Sequence, residues 1–318
     1  MPQTKATLRP DLGALAFEYS LGAASQGFIA QMVLPPFFTP LKSAKYPVIP
    51  AEALLEDVDT ARAPRAAYAR GDWQFDFLDY NCSENGYEEP IDDSEAQMFR
   101  DYFDAETMAT YRAMGIVLRR LEKRVASKIF SPAKFGGGHA VAAAWNSYAD
   151  ADPRTDVVHG IEHIRLSTGL KPNALILDES VLRHVSMCDS VIERVKYSDP
   201  NAIRGDLTIP QLEAYFGCRV LAAGAVGNKA AKGKAKAVSP IWSPTMAMLG
   251  VVSSGSQDLR EPSLGRIFSW EAAGQEMLVV ETYREEQTRS DIVRARQDTD
   301  ECLQFTEAGY LMTGVIPG

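Results

Sequence analysis

Between Asp92 and Phe130 the chain runs without a proline, DDSEAQMFRDYFDAETMATYRAMGIVLRRLEKRVASKIF, and this stretch limits the possible folds most strongly. Phe99, Phe103, Tyr111, Met114, Leu118, Leu121, Val125 and Ile129 form an apolar stripe at helical spacing. Asp92, Asp93 and Ser94 at its start and the cations from Arg119 to Lys128 near its end suit the helix dipole. At ~1.5 Å per residue such a helix reaches roughly 50 Å. That exceeds the diameter of a small domain, so the spacing predicts a spine rather than a compact core element.

What precedes the spine cannot bury itself. Residues 1–41 read as an extended arm, because GFIAQMVLPPFFTPL shows no sustained helical period. Phe28, Phe37, Phe38 and their apolar neighbours must then pack on the rest of the chain or on another molecule. Two strand-like runs follow, KYPVIP (45–50) and DWQFDFLDY (72–80), in the second of which Trp73, Phe75 and Phe77 alternate with other residues. Between them DVDTARAPRAAYARG, with Arg62, Arg65 and Arg70, suits an exposed tip. A hairpin of this kind is marginal alone and implies a partner surface. The candidate inter-subunit contacts are therefore Phe28, Phe37, Phe38, Arg62, Arg65, Arg70, Trp73, Phe75 and Phe77. Removing residues 1–35 is expected to abolish assembly and leave folded subunits.

After the GGG at 136–138, a helix is predicted from about Asp152 to Ser167, stopped by Gly169. ALIL (174–177) reads as a buried strand and ESVLRHVSMCDSVIERVKY as one amphipathic helix. IPQLEAYFG is another helix, CRVLAAGAV another strand, and NKAAKGKAKA (228–237) a solvated cationic loop. This alternation argues for a compact α/β lobe between about 170 and 270, and the tail from Gly265 is rich in strand signals.

Catalytic chemistry is thin. HGIEH (159–163) has the H-x-x-E-H order of an inverted zinc peptidase, with His159 and His163 as ligands and Glu162 as base. A third ligand is not singled out, and Gly160 weakens the helix that would carry the pair. Two polar or half-buried helix histidines are the expectation, with no metal and no cofactor. No nucleophile elbow, P-loop or dinucleotide fingerprint occurs. Four scattered cysteines without a C-x-x-C pair suit buried thiols in a reducing compartment. The net charge of −9 is not the footprint of a nucleic-acid binder. The early apolar stretch is too broken by polar residues and prolines to span a membrane.

The order of arm, hairpin, spine, α/β lobe and returning strands resembles the major capsid proteins of tailed bacteriophages, the Hong Kong 97 type of fold. Local sequence carries the likeness: TGLKPNALILDESVLRHVSMCDSVIERVKY (168–197), then LTIPQLEAYFGCRVL (207–221) and VSPIWSPTMAML (238–249). KYPVIP and DTARAPRAAYARGDWQFDFLDYNCSENGYEEPIDD resemble the family's hairpin, so the likeness covers about 45–315. It implies an α+β fold with an N-terminal arm (1–41) and an extended E-loop (42–91). A peripheral domain (92–170 and 268–318) and an axial domain (171–267) complete it.

The function so implied is a structural shell protein, not an enzyme. It would form homo-hexamers and homo-pentamers of an icosahedral head around double-stranded DNA, without sequence-specific binding or a membrane. The virion is its place, assembled in the host cytoplasm with a portal and possible decoration protein. The arm begins close to Met1, so a separate scaffolding protein is expected. No Asn follows Asn228, so the Lys–Asn cross-link of some members is not expected. The alternatives are an encapsulin-like nanocompartment shell and a zinc-dependent hydrolase.

Overall fold

In the computed structural model, which describes residues 7–9, 12, 27–48, 50, 55–62, 64–65, 67–71, 75–99, 104–198, 207–231, 233–271 and 277–317, the proline-free run makes two helices. A short one covers Asp93–Phe99, and the spine proper covers Ala105–Ile129. Its 25 residues extend about 37 Å, shorter than the single helix predicted. The reason is a cap. Asp104 is extended, and its carboxylate accepts the Thr107 backbone N–H, so helix starts afresh there. Apolar periodicity is blind to a capping aspartate in its midst.

A six-stranded sheet lies against the spine. Its strands are Thr7–Leu8, Val279–Glu285, Ser290–Leu303, Gly265–Trp270 and Pro36–Thr39 in spatial order, with Ser83–Asp92 also pairing to Ser290–Leu303. Ala109, Ala113, Met114 and Val117 of the spine pack there on Val280, Val293 and Ala295. Arg124 and Lys128, farther along, pair with Glu301 on the longest strand.

The second sheet is five-stranded, in the order His139–Ala140, Gly309–Thr313, Met246–Gly250, Ala174–Asp178 and Arg219–Ala223. Every residue of Ala174–Asp178 is buried because the sheet is covered on both faces. Leu175 and Leu177 face a core with Val157, Ile164, Val181, Val191 and Leu212 from the helices. Ala174 and Ile176 face the other way, toward Leu121, Val125 and Ile129 of the spine. The helix Pro153–Thr168 and the strand Gly309–Thr313 belong to this second core, which thus draws on both sides of the boundaries at 170 and 268.

The predicted strands and helices of this half occur in the predicted order, but the central strand Met246–Gly250 was not among them, and one predicted helix is divided. The stretch 179–198 is two helices, Glu179–Ser186 and Asp189–Ser198, turning at Met187 and buried Cys188. Residues 229–231 and 233–237 lie within the loop predicted at 228–237, between the strands Val226–Asn228 and Val238–Pro240 of a small hairpin.

The arm departs most from expectation. Ala30–Val33 is a helical turn and Pro36–Thr39 a strand parallel to Gly265–Trp270. Ile29, Ala30, Val33 and Leu34 are buried in the chain's own core against the spine. Cutting at residue 35 therefore removes core, and the expectation that such subunits stay folded is corrected: Leu12 is also buried and Thr7–Leu8 is paired, so a truncation that spares core and sheet must stop before Thr7.

The strand end of the arm is held by the loop 253–261. Gln257 donates to Pro36 O at 3.0 Å and accepts the Phe38 N–H at 2.9 Å. Glu261 organises that loop, accepting from the Ser253 and Ser256 hydroxyls and the Ser254 N–H. Burial pushes its carboxyl up, but these hydrogen bonds outweigh burial and hold it at about 2. Fully buried Arg266 closes the unit, donating to Ser256 O, Asp258 O and Glu261 Oε2. Arg266→Met is expected to cost about 3 kcal/mol in denaturant unfolding, because a carboxylate and two carbonyls lose their partner. A loss below about 1 kcal/mol would contradict this role.

Candidate assembly surfaces

The hairpin is the feature that reaches beyond its own core. Ser43–Val48 pairs antiparallel with Asp76–Asn81, setting Tyr46 opposite Leu78 and Pro47 opposite Phe77. At its base the chain supplies its own cover. The Tyr80 ring stacks on Phe268 at 4.3 Å, Tyr46 lies 4.9 Å from the same ring, and the Tyr80 hydroxyl meets Thr39 Oγ1 at 2.7 Å. Farther out the cover ends. Phe77 is 62% exposed and Phe75 47%, with Val58 and Tyr68 also exposed, while half-exposed Leu55 comes close to Gly169 at the end of Pro153–Thr168. Single exposed apolar residues are ordinary; several on one projection form the kind of patch from which interaction surfaces are built.

Of the predicted contact residues, Arg62, Arg65 and Arg70 lie exposed on this projection. The Arg62 guanidinium sits 4.6 Å over the Tyr68 ring and donates to its hydroxyl at 3.2 Å. Arg65 has φ 70°, a left-handed position uncommon for a side-chain-bearing residue. Trp73 lies outside the described residues.

The arm phenylalanines sit elsewhere. Phe28 is buried against Leu118 and Ala225 of its own chain, and Phe37 makes an edge contact with Phe268 at 5.5 Å. Phe38 is half-buried beside the core that joins spine and second sheet. Their cover comes largely from within the subunit.

Sequence reasoning missed the group that fastens the arm. Glu122, on the spine, is 2% exposed. Its carboxylate accepts the Ala30 backbone N–H at 2.6 Å and the Trp242 indole N–H at 2.7 Å. Burial pushes its carboxyl up to about 7, although both donors pull the other way. One carboxylate thus ties arm, spine and the segment before Met246–Gly250. The signal was present: Glu122 stands four residues after Leu118 and three before Val125, within the apolar stripe.

HGIEH gathers no third ligand among the described residues. His159, Glu162 and His163 are all exposed on Pro153–Thr168, and Glu162 pairs with Arg165. Among the described residues no three His, Cys, Asp or Glu side chains are grouped to hold a metal ion. His163 instead joins an aromatic cluster with His139 and Tyr310, the last two stacked at 4.1 Å. Desolvation, then the nearby His163, holds the His139 imidazole below its usual pKa. Gly160 explains itself: a Cβ there would lie 2.7 Å from Tyr310 and 2.9 Å from Leu249. It lets the helix approach the second sheet, and Gly160→Val is expected to cost about 2 kcal/mol by thermal melting. An unchanged melting temperature would contradict that packing.

The four cysteines are free, three of them buried. Burial raises Cys82, Cys188 and Cys218 to about 11 and Cys302 to about 12, far from thiolate reactivity near neutral pH. No helix among the described residues is long and apolar enough to cross a membrane.

No protein-family profile matches the sequence. The major capsid protein of Burkholderia phage BcepMu is 27% identical over 303 residues, covering 93% of this chain and 94% of that protein. Among solved structures, a phage-related protein from Bordetella bronchiseptica RB50 superposes with a TM-score of 0.72 at 24% identity, covering 98% of both chains. The capsid of cyanophage P-SCSP1u gives a TM-score of 0.56 at 10% identity, over 88% of this chain and 86% of that one. At such identity the structures speak for the fold, an α+β architecture that runs nearly end to end, and the sequence relative extends over the same length. The chain is thus similar, along nearly its whole length, to a tailed-phage major capsid protein, and it has the Hong Kong 97 type of fold.

Proposed function

We infer that this chain is the major capsid protein of a tailed phage, a structural subunit that self-associates into the shell of the head. The observation that carries the reading is the end-to-end correspondence with a phage major capsid protein, together with a hairpin that exposes Phe75 and Phe77. Hexamers and pentamers around a double-stranded DNA genome are the assembly we propose. Repeated heterologous contacts can close such a shell around symmetry axes, each interface of roughly standard size, about 1,600 Å². On this reading residues near 174–250, with Pro153–Thr168 and Gly309–Thr313, form the axial lobe, and the spine with the six-stranded sheet forms the peripheral one. The hairpin would reach a neighbouring subunit, with Arg62, Arg65 and Arg70 near its tip. A portal and a separate scaffolding protein would be further partners, and assembly would take place in the host cytoplasm.

Purifying particles and treating them with nuclease tests this. A capsid protects genomic DNA; a shell that instead co-purifies with a stoichiometric enzyme would make the protein a nanocompartment and overturn the reading.

A further inference from the structure

One surface in this acidic chain carries cations that pair with no carboxylate among the described residues. Arg119, Arg120 and Lys123 lie on one face of the spine, at steps of one and three, and all are exposed. Across from them stand Asn228 and Lys229 of the small hairpin, and together they line a groove of about 310 Å³. Ile116 and Ile241 supply apolar lining, and no carboxylate lines it. The loop that continues from Lys229 carries Lys234 and Lys236, also exposed.

The contrast with the other cations of the spine is sharp. Arg112 pairs with Glu89, Arg124 with Glu301, and Lys128 with Asp300 and Glu301. Among the described residues, no carboxylate lies within ion-pairing distance of Arg119, Arg120, Lys123 or Lys229; Arg119 only lies over the Phe28 ring, at 5.9 Å. The whole chain has 42 acidic residues against 33 Lys and Arg, so partners are not scarce. Like charges crowded on one helix face weaken the helix. They return that cost only when an external polyanion neutralises them.

We propose that this groove and the lysine loop beside it hold the phosphate backbone of duplex DNA without reading its sequence, and so face the interior of the shell. The choice of DNA as the polyanion rests on the capsid reading above; the charge of the groove does not. The geometry favours backbone contact. Helix-borne guanidinium and ammonium groups form a fixed rail, and a loop of Lys, Gly and Ala can follow phosphates in any register. The loop has no aromatic side chain to stack on bases, and the side-chain oxygen of Asn228 at its start is taken up by the Ala230 and Ala237 backbone N–H groups.

The test uses full-length subunits kept below the concentration at which shells form. They are titrated against two unrelated fluorescent duplexes at salt from about 50 to about 200 mM. Six contacts predict equal affinity for both sequences and a log–log salt slope of about −5, a loss of about 10³-fold over that range. Arg119→Ala, Arg120→Ala and Lys123→Ala together should halve the slope. If that variant melts abnormally, Lys229→Gln, Lys234→Gln and Lys236→Gln on the loop should do the same without touching the spine. An unchanged slope in a folded variant overturns the proposal, as does binding that prefers one sequence. Polyglutamate that displaces the duplex at equal charge concentration would also overturn it, in favour of an acidic protein segment. Electron micrographs keep the two readings apart. Shells with no DNA binding would sink the groove and leave the capsid reading. DNA binding without shells at any concentration would do the reverse.

Discussion

Phe77→Asp is expected to abolish shell formation while leaving the subunit's melting temperature within about 2 °C of the parent, since surface substitutions rarely disturb folding. Phe77 is the most exposed phenylalanine of the hairpin, and its strand neighbours at the base are already covered by Phe268 and Thr39. A subunit that exposes so large an apolar side chain on a projection loses little when it becomes charged. An interface that buries it loses a great deal, because an unpaired carboxylate must be desolvated there, at a cost of several kcal/mol. Every subunit repeats the contact, so the equilibrium moves from closed shells to free subunits. Phe75→Asp should act in the same sense, and Trp73→Asp is the companion expected from sequence. Sedimentation and electron microscopy read the outcome. Normal shells from Phe77→Asp would mean that the hairpin is not an assembly surface, and insoluble subunits would mean that Phe77 is core.

Replacing Glu122 acts on the subunit itself. Glu122→Leu leaves the Ala30 N–H and the Trp242 indole N–H buried without acceptors, each costing about 1–3 kcal/mol. A total near 4 kcal/mol would bring a marginally stable chain close to unfolding. Glu122→Gln keeps one acceptor oxygen and should cost less, about 1–2 kcal/mol. The two variants also part in their pH dependence. The carboxyl is raised to about 7 in the fold from an ordinary value of 4.5, so the folded state holds its proton more tightly than the unfolded one. Its contribution is therefore complete below about 4.5 and is lost as pH rises through about 7, by at most about 3 kcal/mol. Unfolding curves of Glu122→Gln should lack this decline between pH 5 and pH 7, values that lie between the two pKa limits. Glu261, held at about 2, acts in the opposite sense, its contribution being lost as pH falls below about 4.5. A parent protein and a Glu122→Gln variant with parallel pH profiles would contradict the account of Glu122.

The fold was legible where local chemistry and tertiary context agree. ALIL bounded by Pro172-Asn173 and Asp178 could only be a short covered strand, and Asp152-Pro153 to Gly169 carries both caps of its helix. The arm was legible as apolar but not as core. Ile29 to Leu34 form a turn because the spine and Glu122 receive them, and that information lies about ninety residues away. Asp104 and Cys188 divided helices that periodicity joined, one by capping a new start, the other by turning the chain into a buried site. For the hairpin, alternation placed aromatic residues on two paired strands. It did not say that Tyr46 and Tyr80 would be covered by Phe268 while Phe75 and Phe77 stay exposed, since this depends on where the six-stranded sheet ends. HGIEH pointed to chemistry that the described residues do not assemble. Its glycine was the informative residue, marking where a helix lies close on a sheet.

Electron microscopy of the expressed full-length chain tests the central claim most directly. The account predicts closed, uniform icosahedral shells in which the hairpin of one subunit lies across its neighbour. A chain that remains monomeric at high concentration, with the hairpin free in solution, would contradict it.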